Sequence, residues 1–208
     1  MAHFISYLMS CLLLTSTLNW RTSTSLPVRN LSAQECATCS TLFRRLLVNI
    51  TGLLSSDVLC YGVASERVTM SGSADTLRAC APVMQQNSGC MVQRNSSFSE
   101  GECLMNIMRD VLHYHSVIQS YLKSALRSPE EESALLRPTL ELIQNLKKNC
   151  SLISNGGEDL AEENASPRWG DNTFTNRLEM CKMMRGFYVR AITINRAMGY
   201  ISSGDHRK

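Results

Sequence analysis

The residues best equipped for chemistry are the cysteines, and their number points to cross-links rather than catalysis. There are nine. Cys11 falls in an apolar leader, and Cys36, Cys39, Cys60, Cys80, Cys90, Cys103, Cys150 and Cys181 follow it. An even set in an exported chain reads as a disulfide framework, but about a hundred pairings are possible, so spacing selects none. Cys36-Ala-Thr-Cys39 has the spacing of a redox pair or half a zinc site. No second Cys-x-x-Cys completes such a site, and no βαβ pattern surrounds it, so structural bridging is the better reading. His113 and His115 stand two apart, point to different sides of a helix and cannot share a metal; each reads as a surface or interface residue. Glu130-Glu131-Glu132 fits favourable charge at a helix start. There is no glycine-rich phosphate loop and no Gly-x-Ser-x-Gly. The sequence therefore offers no catalytic residue, no metal site and no cofactor site.

Modification and export signals agree with the cysteines. Asn30-Leu-Ser, Asn49-Ile-Thr, Asn95-Ser-Ser, Asn149-Cys-Ser and Asn164-Ala-Ser all fit the glycosylation acceptor pattern. Asn95 and Asn164 sit in loop-like sequence; use of Asn149 depends on when Cys150 is bridged. Phe4 to Leu18 is mostly apolar and shorter than the roughly 20 residues that span a bilayer. Small residues Ser23, Thr24 and Ser25 follow it, so residues 1–25 read as a secretory signal and 26–208 as one secreted domain. About 180 residues suffice for a core of its own. No later apolar run is long enough to insert in a membrane. The formal net charge of +3 argues against nucleic acid, which demands a concentrated basic surface. Arg44-Arg45 and Lys147-Lys148 are isolated pairs and read as solvated helix faces.

Four segments have helical period, and none reads as a set of alternating strands. The first runs from about Ser32 to Leu54, with Cys39, Leu42, Phe43, Leu46, Ile50, Leu53 and Leu54 on one face. The second runs from about Gly101 to Ala125, with Leu104, Ile107, Met108, Val111, Leu112, Ile118 and Leu122. A third begins at Ser128-Pro129-Glu130-Glu131, a cap followed by proline at the first helical position. Pro138 interrupts it, so a kink there or a true start at Pro138 is expected. The fourth covers Phe174 to Ser202. The connections are long, short and long, which is the pattern of an all-α, up-up-down-down four-helix bundle with two crossover loops.

The fourth segment carries two stripes. Met180, Met184, Phe187, Ala191, Ile194, Met198 and Ile201 share a face that reads as core. Val189, Ile192, Arg196 and Gly199 recur on another face. A surface helix needs only the first; the second, with an arginine at its centre, suits another protein.

Two blocks give this pattern a family. Cys103-Leu-Met-Asn-Ile-Met-Arg-Asp-Val-Leu-His-Tyr114 and Phe187-Tyr-Val-Arg-Ala-Ile-Thr-Ile-Asn-Arg-Ala-Met-Gly-Tyr200 resemble the second and fourth helices of the interleukin-12 alpha-subunit family, and Ala79-Cys80-Ala-Pro-Val resembles its crossover loop. A weaker resemblance extends from about Cys36 to Tyr200. It implies a secreted long-chain helical cytokine that pairs with a receptor-like beta subunit, after which the pair engages cell-surface receptor chains. The family's fourth helix inserts an arginine into the beta subunit; Arg196 matches it, with Ile192, Thr193 and Tyr200 flanking and Val189 on the same face. An aromatic near the start of that helix contacts a receptor; Phe174 is the nearest match and Trp169 the second. The resemblance also implies Cys60 with Cys181 and Cys80 with Cys103. Cys90 fits either a bridge to the beta subunit or an internal bridge to Cys39 or Cys36. Cys150 and the remaining one of Cys36 and Cys39 are extra and could bridge each other.

Two other readings compete. A related alpha subunit of the interleukin-23 type shares the architecture. A saposin-like lipid-binding module would explain Cys36-x-x-Cys39 ahead of an amphipathic helix, but such modules close within about 80 residues, and the fourth helix lies far outside that span.

Overall fold

In the computed structural model the described residues are 32–63, 75–81, 98–150 and 169–204. The leader, Cys11, Cys90, Asn30, Asn95 and Asn164 lie outside them. The described residues contain no strand and form α1 (Ala33–Ser55), α2 (Asp57–Cys60), α3 (Asp75–Ala79), α4 (Glu100–Leu122), α5 (Pro129–Cys150) and α6 (Thr173–Ser203). The four long ones are those the periodicity marks; α2 and α3 lie within the first crossover, which the sequence leaves as loop.

Local chemistry explains the ends. Ser32 and Glu35 cap α1 reciprocally: the Glu35 N–H donates to Ser32 Oγ at 3.2 Å and the Ser32 N–H to Glu35 Oε2 at 2.8 Å. Ser99 and Asn172 cap α4 and α6, and α6 stops at Gly204, whose φ of 73° suits glycine. A start at Pro138 is not what forms. The third long helix begins at Pro129 and runs through Pro138. Pro138 and Ala134, whose carbonyl loses its usual donor, are both exposed, so water can satisfy that oxygen.

Specific contacts fix the directions of packing. Cys39 is bonded to Cys150, and the Thr139 hydroxyl donates to Asn49 Oδ1 at 2.6 Å, so α1 and α5 are antiparallel. Cys60 is bonded to Cys181, and Asn195 Nδ2 donates to the Phe43 carbonyl at 3.0 Å, so α6 runs against α1. Phe98 meets Tyr200 edge-on at 5.3 Å, while Asp110 meets Arg190 at 3.2 Å, so α6 also runs against α4. Helices α1 and α4 are therefore parallel, as are α5 and α6: an up-up-down-down bundle.

The core differs from the expected stripe on α1, where Leu42 and Leu54 are half-buried, and on α4. Leu112 and Leu122 are half-buried, while Tyr114, Val117 and Tyr121 are buried. Because α4 packs on both α5 and α6, its inner face is wider than one stripe. Tyr114 stacks on Phe187 with centroids 4.0 Å apart. The Tyr121 hydroxyl donates to Glu132, whose other oxygen accepts the N–H groups of Arg127 and Ser128 at 3.1 and 2.9 Å. Glu132 thus clasps the turn between α4 and α5, a role beyond helix-start charge. Burial and that hydrogen bond push the Tyr121 phenol well above its ordinary range.

Candidate protein-binding surfaces

The outer face of α6 is where the second stripe falls. Val189, Arg196 and Gly199 are exposed, and Ile192, Thr193 and Tyr200 are half-buried. The opposite face carries Phe187, Ala191, Ile194, Met198 and Ile201, all buried, so these six outward residues are placed by the burial of their neighbours. Arg190, one step from Val189, turns inward to Asp110; both are nearly fully buried, and their pairing compensates the desolvation of each. The Thr193 hydroxyl is satisfied within the helix by the Val189 carbonyl at 3.3 Å. A Cβ added at Gly199 would meet nothing within 4 Å among the described residues, so none of them gives a packing reason for glycine there.

The two candidate aromatics at the start of α6 separate. Trp169 is half-buried: its Nε1 donates to Ser120 Oγ at 2.8 Å, and its ring meets Tyr121 edge-on at 5.1 Å. It closes the end of the bundle. Phe174 is 52% exposed. Asn176 holds the approach to the helix: its Nδ2 donates to the carbonyls of Gly170 and Ala125 at 2.7 and 3.2 Å, and its Oδ1 accepts the Gly170 N–H at 3.0 Å.

Sequence reasoning misses Arg177 and Tyr61. Arg177 is buried, with its guanidinium carbon 5.7 Å from the centroid of the Phe174 ring. Its Nη1 donates to the Tyr61 carbonyl at 2.7 Å and to that of Leu59 at 3.4 Å. Phe174 and Tyr61, which is 61% exposed, are thereby set by one side chain. The three-residue step from Phe174 to Arg177 is a sequence signal for the first contact. Nothing in the sequence marks the second, because the acceptor is a backbone carbonyl 116 residues away.

Three bridges are present among the described residues: Cys39–Cys150, Cys60–Cys181 and Cys80–Cys103. The first links the two cysteines the sequence leaves over, and it takes Cys39 rather than Cys36. Cys36 is buried one turn away, its Sγ 4.0 Å from Glu100 Oε1. Bridges spanning 111 and 121 residues do not suit a module closed within about 80, which sets the saposin-like reading aside. Of the sequons, Asn149 is exposed at the end of α5, whereas Asn49 is half-buried in mid-helix.

No group of three or more His, Cys, Asp or Glu side chains among the described residues could hold a metal ion. His113 and His115 are less exposed than surface residues would be: both are half-buried, with Nε2 atoms that lack a hydrogen-bond partner among the described residues. Burial lowers both imidazole pKa values, and Lys147 lowers that of His115 further. No described helix is long and apolar enough to cross a membrane.

Comparison with known proteins gives the chain a family. The family model for the interleukin-12 alpha subunit matches residues 5–204. Interleukin-12 subunit alpha of Mus musculus is 28% identical over 149 residues, covering 62% of this chain and 64% of the mouse protein, slightly under two thirds of its length. The subunit of Marmota monax is 24% identical over 191 residues, covering 79% of this chain and 82% of that protein. The subunit of Bos taurus is 25% identical over 199 residues, covering 86% and 88%.

Proposed function

The chain belongs to the interleukin-12 alpha subunit family, and from that premise we propose that it is the alpha half of a secreted heterodimer, released after loss of a leader ending near residue 25. It is a cytokine subunit and not an enzyme. The outer face of α6 docks a receptor-like beta subunit, with Arg196 as anchor and Val189, Ile192, Thr193 and Tyr200 around it. The observation that carries this is Arg196 itself, exposed and without an ion pair or hydrogen bond among the described residues. A guanidinium is weakly hydrated and offers a rigid fork of donors, so moving it into a partner's pocket costs less than moving an ammonium. Apolar and aromatic neighbours then exclude water from the contact.

The paired cytokine acts by binding cell-surface receptor chains, one of them at Phe174. A bridge from Cys90 to the beta subunit remains the covalent version of the pairing; with Cys39 bonded to Cys150, the internal alternative is Cys36. The interleukin-12 type is favoured over the interleukin-23 type by the family match.

Co-expression with receptor-like beta subunits, followed by recovery of the complex from the medium, tests the reading. Arg196→Ala should weaken pairing by about 2 kcal/mol, or roughly thirtyfold. Undiminished heterodimer from that variant would remove the anchor.

A further inference from the structure

The end of the bundle that presents Phe174 also holds a cleft of about 230 Å³ between α2 and the α4–α5 turn. Asp57, Val58, Tyr61, Arg127, Ser128 and Glu131 line it. Its shape follows from elements already described. Ser56 caps α2 through the Val58 N–H at 3.3 Å, and Glu132 clasps Arg127 and Ser128 on the other wall. Arg177 ties the Tyr61 backbone to the Phe174 ring, so cleft and exposed phenylalanine belong to one surface with a common support.

We propose that this cleft is the second half of the receptor-contacting surface, and that it takes an arginine or lysine side chain from the receptor chain that packs on Phe174. The proposal rests on the reading of Phe174 given above. Its own support is the chemistry of the lining. Asp57 and Glu131 are exposed carboxylates without an ion pair among the described residues, and they outnumber the single guanidinium of Arg127. Val58 and Tyr61 supply apolar wall for the methylene stem of a long basic side chain, whose charged head then reaches the carboxylates. An acidic partner would meet net repulsion here. A purely apolar one would leave two carboxylates to be desolvated without compensation.

Binding of the intact heterodimer to immobilised ectodomains of the two signalling receptor chains, at low and high salt, tests this. Asp57→Asn with Glu131→Gln should weaken binding to one chain about tenfold and flatten its salt dependence. Tyr61→Ala should weaken binding to the same chain. Heterodimer yield and thermal midpoint report that these surface variants fold. Affinity within about twofold of the parent, or tighter binding after neutralisation, would overturn the proposal. Phe174→Ala separates the two ideas. Loss with Phe174→Ala but not with the cleft variants removes the cleft and keeps the phenylalanine. Loss with the cleft variants alone keeps the cleft and removes the phenylalanine; loss with neither removes both.

Discussion

Removing the Cys39–Cys150 bridge should lower stability by an amount that chain entropy sets. The bridge spans 111 residues, but Cys60–Cys181 already shortens the loop it closes. The path from Cys39 to Cys60, across that bridge, and back from Cys181 to Cys150 is about 50 residues. Closing a ring of that size in the unfolded chain is worth about 4 kcal/mol at 25 °C. For a domain of about 180 residues each kcal/mol moves the midpoint by roughly 2–4 °C, so Cys39→Ala with Cys150→Ala should fall by about 12 °C. Both cysteines are buried, and replacing both together leaves neither of this pair as a lone thiol. Circular dichroism and calorimetry of the secreted heterodimer would read the effect, with far-ultraviolet spectra showing that the helices persist. A midpoint within about 2 °C of the parent would refute the reasoning, because it would mean that the unfolded chain gains little freedom from the cut.

Gly199→Ala should stabilise α6 by about 0.5–1 kcal/mol, since an exposed helical glycine costs backbone entropy, yet reduce recovered heterodimer if the partner approaches the backbone there. Pairing equal to the parent would argue against that close approach. Asn49 should carry no glycan, because its side chain is half-buried in α1 and accepts the Thr139 hydroxyl; glycopeptide mapping that found sugar on Asn49 would count against this packing. Stability should also fall in acid. Above pH 6.5 His113 and His115 are neutral in both folded and unfolded chains; below it the unfolded chain takes up protons that burial denies the folded one, and the loss is complete below the lowered folded values. A smaller drop in thermal midpoint between about pH 7.5 and about pH 5.5 is expected for His113→Gln with His115→Gln; a drop as large as the parent's would place the effect elsewhere.

What could be read in advance was what is local. The three- and four-residue recurrence on α1, α4, α5 and α6 marks their spans because a helix repeats every 3.6 residues. The serine and proline starts work because caps act within one turn. Helices α2 and α3 have four and five residues, too short to show a period. Cys36 and Cys39 sit one turn apart on the same face, so choosing Cys39 for Cys150 required the register of α1 against α5. Asp110, Arg190 and Arg177 belong to residue types that are usually exposed; each is buried because a partner from another helix or loop compensates it. Tyr121 has the same explanation through Glu132.

The distance between the two candidate surfaces bears on how one subunit could serve two partners. Phe174 and Arg196 lie on one helix, about 33 Å apart along its axis at 1.5 Å per residue. A standard protein interface covers about 800 Å² on each partner, a patch roughly 32 Å across. Patches centred on the two residues would therefore abut rather than overlap. The helix between them is held at the Cys60–Cys181 bridge, the Tyr114–Phe187 stack and the Asp110–Arg190 pair, so neither end can shift freely when the other is occupied. A stiff spacer of that length lets the beta subunit and a receptor chain bind together with little coupling. Heterodimers that do form with Arg196→Ala should therefore bind the receptor chain at Phe174 as tightly as the parent. A change of more than about threefold would mean that the two surfaces share residues or that α6 moves between them.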